Sequence, residues 1–144
     1  MESKISKRLE EIVTALPLKE GIRILEIGSG TGVVAREIAR RLKNVYLLGL
    51  DRSAKAIQQS VSSSRAEIST GKLHFQQAKI EEYEFEGEQL FHFAFAIRVG
   101  ALDGRHPEIA QKALSNIAKA LKSNGKLFID GGNPLQEIDI KKWR

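Results

Sequence analysis

Gly28, Ser29, Gly30, Thr31 and Gly32 follow directly on an apolar run, and Asp51 stands about 20 residues further on. Glycine tolerates positive φ and lets a ligand approach the backbone closely. A helix that begins in such a turn offers N–H groups and the positive end of its dipole to an anionic group. An aspartate at the end of the following strand can accept two hydrogen bonds from the hydroxyls of a ribose. Together these features read as a nucleotide-type cofactor site. The plain alternative is a tight strand-to-helix turn with an unrelated acid downstream. A second reactive group lies in Arg98-Val99-Gly100-Ala101-Leu102-Asp103-Gly104-Arg105-His106, where Arg98, Asp103 and His106 offer charge and proton-transfer chemistry. His74 and His92 fall in strand patterns and read as structural.

Three cofactor classes compete for the glycine loop. A phosphate-gripping loop needs a lysine followed by Ser or Thr at its end, whereas this one continues Gly32-Val33-Val34. A dinucleotide loop spaces its glycines G-x-G-x-x-G, which would put the third at position 33, where Val33 stands. The first class is rejected and NAD is disfavoured.

These residues need elements to hold them. Residues 3–16 place Ile5, Leu9, Ile12, Val13 and Leu16 at helical spacing, and Pro17 ends that helix. Residues 22–27 form a buried strand, and residues 32–42 form a helix with Val34, Ile38 and Leu42 on one face. Residues 45–50 are a second buried strand that stops at Asp51. Ser53 caps a helix running to about residue 70. Strands follow at 73–76 and 91–97. Pro107 opens a helix with Ile109, Ala113, Leu114, Ile117 and Leu121 inward, Asn124-Gly125 closes it, and residues 126–130 are a fifth strand. This alternation predicts an α/β fold, a doubly wound, mostly parallel sheet with helices on both faces. Ligands bind such sheets outside the carboxyl ends of the strands, where the strand order reverses. The glycine loop leaves the first strand there.

The 144 residues fit one domain spanning 1–144, with no linker or internal repeat. The absence of cysteine excludes a disulfide framework, a thiolate metal site and a cysteine nucleophile, and no metal site is expected. The start of the chain is charged and lacks the apolar core of a signal peptide. No apolar run approaches membrane-span length, so a cytoplasmic location without membrane contact is expected. Net charge is +5, but 23 basic residues are interleaved with 18 acidic ones. No specific nucleic-acid surface is expected from that pattern.

Residues 24–32, Ile-Leu-Glu-Ile-Gly-Ser-Gly-Thr-Gly, closely resemble the first motif of the class I S-adenosylmethionine-dependent methyltransferases, whose fold is Rossmann-like. Gly49-Leu50-Asp51-Arg52-Ser53 looks like their second-strand motif. Residues 121–129, Leu-Lys-Ser-Asn-Gly-Lys-Leu-Phe-Ile, resemble their L-K-P-G-G-x-L approach to strand five. The likeness covers residues 20–130. It implies S-adenosyl-L-methionine as cofactor, with Glu26, Gly28, Ser29, Gly30 and Gly32 around its methionine part and Asp51 on its ribose. Arg52 takes the place of the family's apolar residue at the adenine. Lys79 stands where the family has an acid for the adenine amino group, a hydrogen bond that lysine cannot accept. Ile80 can pack on the ring, and Glu81 can serve after a small shift. The loop from Arg98 to His106 faces the methyl group, with Arg98 itself on the cofactor, and lacks the Asn/Asp-Pro-Pro-aromatic signature used on bases and glutamine.

The resemblance thus implies direct methyl transfer to a small-molecule acceptor, with Asp103 or His106 as the base if the acceptor must lose a proton. The alternatives are a non-catalytic cofactor-binding module or subunit, an RNA methyltransferase, and an NAD-dependent enzyme. Members of the family continue past strand five with a helix and two more strands, which residues 131–144 are too few to supply. Strand five is therefore expected to be an open edge that is covered by the tail at residues 135–140 or by a second copy in a homodimer, unless the chain is a piece of a longer protein.

Overall fold

The computed structural model describes residues 5–102 and 104–143. Its centre is a six-stranded sheet in the order β3-β2-β1-β4-β5-β6. The strands are β1 (Ile22–Ile27), β2 (Val45–Asp51), β3 (Leu73–Gln77), β4 (Phe91–Ala96), β5 (Leu121–Asp130) and β6 (Leu135–Ile138). The first five run parallel, and β6 is antiparallel to β5. The helices are α1 (Lys7–Ala15), α2 (Val33–Arg41), α3 (Ala54–Ser63), α4 (Arg65–Ser69) and α5 (Pro107–Ala120). The doubly wound, mostly parallel sheet expected from the sequence is the fold observed. The strand order reverses between β1 and β4, so the crevice opens beside the loop that leaves β1.

Side-chain alternation divides the core. In β1, Ile22 and Ile24 enter one cluster with Val13, Val34 and Ile38, while Leu25 and Ile27 enter the other with Leu50, Ile117 and Leu127. Phe93 and Phe95 join the first cluster, and Ala94 and Ala96 join the second. Both faces of the sheet are thus covered, as a parallel sheet requires. Among the described residues, no helix is long and apolar enough to cross a membrane.

Two local expectations change. The helix capped by Ser53, whose Oγ accepts the Ala56 N–H at 3.1 Å, breaks at Ser64. Ser64 is fully buried and accepts a hydrogen bond from Arg36 Nη1 at 3.0 Å, which holds it out of helical geometry. Pro107 does begin α5, but the helix ends at Ala120 rather than at Asn124-Gly125. Those residues lie inside β5, where the pairing with β4 shifts register between Phe91 and Phe93. A Cβ on Gly125 would stand 2.8 Å from Leu121 Cβ and 2.9 Å from Lys122 O, so the shift leaves room only for glycine.

At the edge, one of the expected covers is found. Leu135 to Ile138 pair back onto β5 in antiparallel register, from Asp130↔Leu135 to Leu127↔Ile138. One strand beyond strand five is therefore present, in four residues. The chain's own tail pairs with N–H and C=O groups of β5, as the tail cover expected for that edge requires. Ile140 is buried behind it, and Trp143 packs on the same core.

Candidate functional site

The glycine loop is pinned to the end of β2. Leu50 O accepts the N–H groups of Gly28 at 2.7 Å and Ser29 at 2.9 Å. Asp51 Oδ2 accepts the Gly30 N–H at 2.8 Å, and its Oδ1 accepts the Ser53 N–H at 2.9 Å. From α3, the buried Ser60 hydroxyl donates to Gly30 O at 2.7 Å. Gly32 N–H donates to Ser29 O at 3.0 Å. The N–H groups expected to await an anion at Gly28, Ser29, Gly30 and Gly32 are thus engaged within the protein. Asp51 ties the loop to the start of α3 before it meets any ligand.

Gly28 is constrained twice. Its φ is +74°, and an added Cβ would lie 2.7 Å from Val99 Cγ2. Gly28→Ala therefore incurs left-handed strain of about 1–2 kcal/mol and overpacking of about 1–3 kcal/mol. We expect affinity for S-adenosylhomocysteine to drop about ten-fold, as read by calorimetry. Equal affinity would show that Val99 yields without disturbing the loop.

Beside Gly28 a cleft of about 350 Å³ opens at the carboxyl ends of β1, β2 and β4. Gly28, Leu50 and Asp51 form its floor, residues 78–81 one wall, and residues 97–101 with Arg105 and His106 the other. Of the residues anticipated from sequence, Gly28, Asp51, Arg52, Lys79, Ile80, Arg98 and His106 come together here. Glu26, Ser29, Gly30 and Gly32 do not line it and lie behind it in β1 and the loop. Asp103 lies outside the described residues.

Behind the loop are two buried polar atoms without hydrogen-bond partners, Glu26 Oε1 and Ser29 Oγ. Burial, reinforced by the nearby Asp51 charge, pushes the Glu26 carboxyl up to about 8. An unsatisfied buried group costs about 1–3 kcal/mol, and a cationic group brought to Glu26 would relieve that cost. Nucleotide-linked amino acids carry such a group, so these residues fit an S-adenosylmethionine-type cofactor.

On the wall of residues 78–81, Glu81 supplies the carboxylate. Its carboxylate is mostly buried and lies 3.8 Å from Arg52 Nη2. Lys79 is half exposed and 3.9 Å from Glu82, so it is Glu81 that offers an acceptor in the cleft. Ile80, 5 % exposed, gives an apolar surface next to it. Two bonds fix this wall: Ala78 N–H to Asp51 O and Asn116 Nδ2 to Ile80 O, each 2.9 Å.

The opposite wall begins at Arg98. Among the described residues it is the one non-glycine residue with positive φ, +57°. Asp130, at the end of β5, accepts its N–H at 3.0 Å with Oδ1 and bonds Arg8 at 2.8 Å with Oδ2. Sequence reasoning missed this role for Asp130, because the three residues meet only in the folded sheet. His106 stands at the start of α5 with Nδ1 3.6 Å from Glu108. The other histidines are structural, as expected. His92 Nδ1 accepts the Arg23 N–H at 2.9 Å, and burial together with nearby Lys122 and Lys19 lowers its pKa. His74 stacks on Tyr46 with ring centroids 4.2 Å apart.

A family model described as a methyltransferase domain matches residues 24–125. YrhH of Bacillus subtilis (strain 168), which carries a methyltransferase name, is 26 % identical over 129 residues, 88 % of this chain and 67 % of that protein. Phosphoethanolamine N-methyltransferase 2 of Haemonchus contortus, solved with S-adenosyl-L-methionine, is 28 % identical with a TM-score of 0.70, over 85 % of this chain and 27 % of that one. An S-adenosylmethionine-dependent methyltransferase from Thiobacillus denitrificans, solved with S-adenosyl-L-homocysteine, has the same fold. Its TM-score is 0.67 at 21 % identity, over 87 % of this chain and 48 % of that one. The chain spans less than half the length of these two solved structures. The first motif at residues 24–32, the acid that ends β2 and the match over most of the sheet agree, and the chain belongs to the methyltransferase domain family, of the class I S-adenosylmethionine-dependent type.

Proposed function

We propose that this chain binds S-adenosylmethionine along the floor of the cleft and directs its methyl group to a small-molecule acceptor held against the wall of residues 97–101, Arg105 and His106. The observation that carries the reading is the meeting of Gly28, Asp51, Ile80 and Glu81 with that wall in one cleft of about 350 Å³. That volume lies at the small end of the range for small-ligand pockets. The Haemonchus relative is named for a small-molecule acceptor. When bound, the cofactor supplies an electrophilic methyl group on a sulfonium.

The protein's part is to hold and orient. Asp51 accepts the ribose hydroxyls, Glu81 the adenine amino group, and the Glu26 carboxyl, buried behind the floor, attracts the amino-acid ammonium. Val99 brings the acceptor wall against Gly28. Holding the nucleophile in line can supply roughly 7–11 kcal/mol of the barrier. Where the acceptor atom carries a proton, His106 takes it, a contribution of about 10²–10⁴-fold.

Calorimetry with S-adenosylmethionine, S-adenosylhomocysteine and NAD tests the cofactor, and transfer of labelled methyl groups to small molecules and to RNA tests the acceptor. Binding of the first two alone and labelling of small molecules are expected. Heat from NAD alone, or labelling confined to RNA, would overturn the reading.

A further inference from the structure

We infer that the acceptor is a small molecule bearing an oxyanion, a carboxylate or a phosphate, which the guanidinium groups of Arg98 and Arg105 bind beside His106; this rests on the methyl-transfer reading above. The charges lining the cleft are unevenly placed. Among the described residues its carboxylates are Asp51 and Glu81, both on the cofactor side. Asp51 is engaged by Gly30 and Ser53, and Glu81 faces Arg52. The acceptor wall carries two guanidinium groups and an imidazole.

The wall also converges. The point where a Cβ of Gly100 would stand is 2.8 Å from His106 Cδ2, 3.3 Å from His106 Nε2 and 3.4 Å from Arg105 Nη2. The imidazole and the guanidinium edge therefore meet over a position that has no side chain to separate them. His106 turns Nδ1 toward Glu108, which leaves Nε2 on the Gly100 side. Arg105 donates to Arg98 O at 3.2 Å, a bond that orients it along the wall.

Arg98 adds an argument of a different kind. Its left-handed backbone would suit glycine, and a side chain there is strained. Asp130 holds it in that conformation through the backbone N–H, not through the guanidinium. An arginine kept at such a place is accounted for if its guanidinium is used. A planar fork of N–H donors matches a carboxylate or phosphate in two parallel bonds. A cationic wall facing a cationic sulfonium favours an acceptor that brings negative charge between them.

The test uses the protein saturated with S-adenosylhomocysteine and titrated with inorganic phosphate, benzoate and neutral benzamide at fixed ionic strength. Saturable binding of phosphate or benzoate in the millimolar range is expected, with benzamide much weaker. Phosphate alone or benzoate alone would assign the oxyanion to one source. Arg98→Gly, which relieves the backbone strain, should weaken anion binding about ten-fold or more. It should change S-adenosylhomocysteine affinity by far less, and Arg98→Lys should fall between. The inference is overturned if neither anion binds, if benzamide binds as well, or if Arg98→Gly leaves anion binding intact. Failure of the wild type to bind S-adenosylhomocysteine would instead defeat the methyl-transfer reading, and with it this one.

Discussion

Asp51→Ala is expected to weaken S-adenosylhomocysteine binding by at least about 100-fold, because it removes support on both sides of the site at once. The carboxylate makes two charged hydrogen bonds inside the protein, to the N–H groups of Gly30 and Ser53. Each is worth about 1.5–3 kcal/mol, and the ribose contacts proposed for the same oxygens are lost with them. Gly30 would then be held by Ser60 through its carbonyl alone. Asp51→Asn separates the two roles. Its single amide oxygen can accept one of the N–H groups, while its NH₂ confronts the other donor. It should therefore recover part of the affinity and part of the hydrogen-exchange protection at Gly30. Calorimetry and exchange at Gly30 and Ser53 read both quantities. Affinity within a few-fold of wild type in Asp51→Ala would mean that neither the loop nor the ribose depends on this carboxylate.

What was legible before the structure was whatever local chemistry dictates. The loop glycines, the acid ending β2, the Ser53 cap and Pro107 at the start of α5 each follow from a residue type in its own short context. The strands were legible because burial on both faces leaves long apolar runs. The misreadings share a cause, which is that a distant partner decided the outcome. Ser64 breaks a helix because Arg36 reaches it from α2. Asn124-Gly125 resembles a helix end but serves a register shift against β4. The turn at Arg98 depends on Asp130, 32 residues away. The closing of the β5 edge by residues 135–138 was one of three options, and the sequence had no means of choosing, since a four-residue strand with two adjacent polar residues at its centre carries little periodic signal. In the site, Asp51 was anticipated for the ribose alone. Its second task, organising the loop, appears only once Gly30 is brought to it.

The stability of the ligand-free protein is expected to fall as pH rises from about 4.5 to about 8, and Glu26→Gln is expected to remove that part of the slope. The unfolded chain loses the Glu26 proton near 4.5, whereas burial and the Asp51 charge keep it in the folded chain up to about 8. Between those values the folded state holds the extra proton. Raising pH there favours unfolding by about 1.4 kcal/mol per unit. Below the window both states are protonated and the group contributes nothing, while above it both are ionised and the full penalty stands. Denaturant melts across this range, compared between wild type and Glu26→Gln, isolate the contribution. A parallel slope in the variant would show that the buried carboxyl is not its source. The same group also marks ligand binding. An ammonium brought to Glu26 Oε1, which has no partner of its own, favours the carboxylate and should drive its proton off. S-adenosylhomocysteine carries such an ammonium. Its binding near neutral pH should therefore release a proton, seen as heats that vary with the ionisation enthalpy of the buffer. Glu26→Gln should be more stable than wild type at high pH, bind about ten-fold or more weakly, and release no proton. Buffer-independent heats in the wild type would mean that Glu26 stays neutral in the complex and that the ammonium is held by carbonyl groups instead.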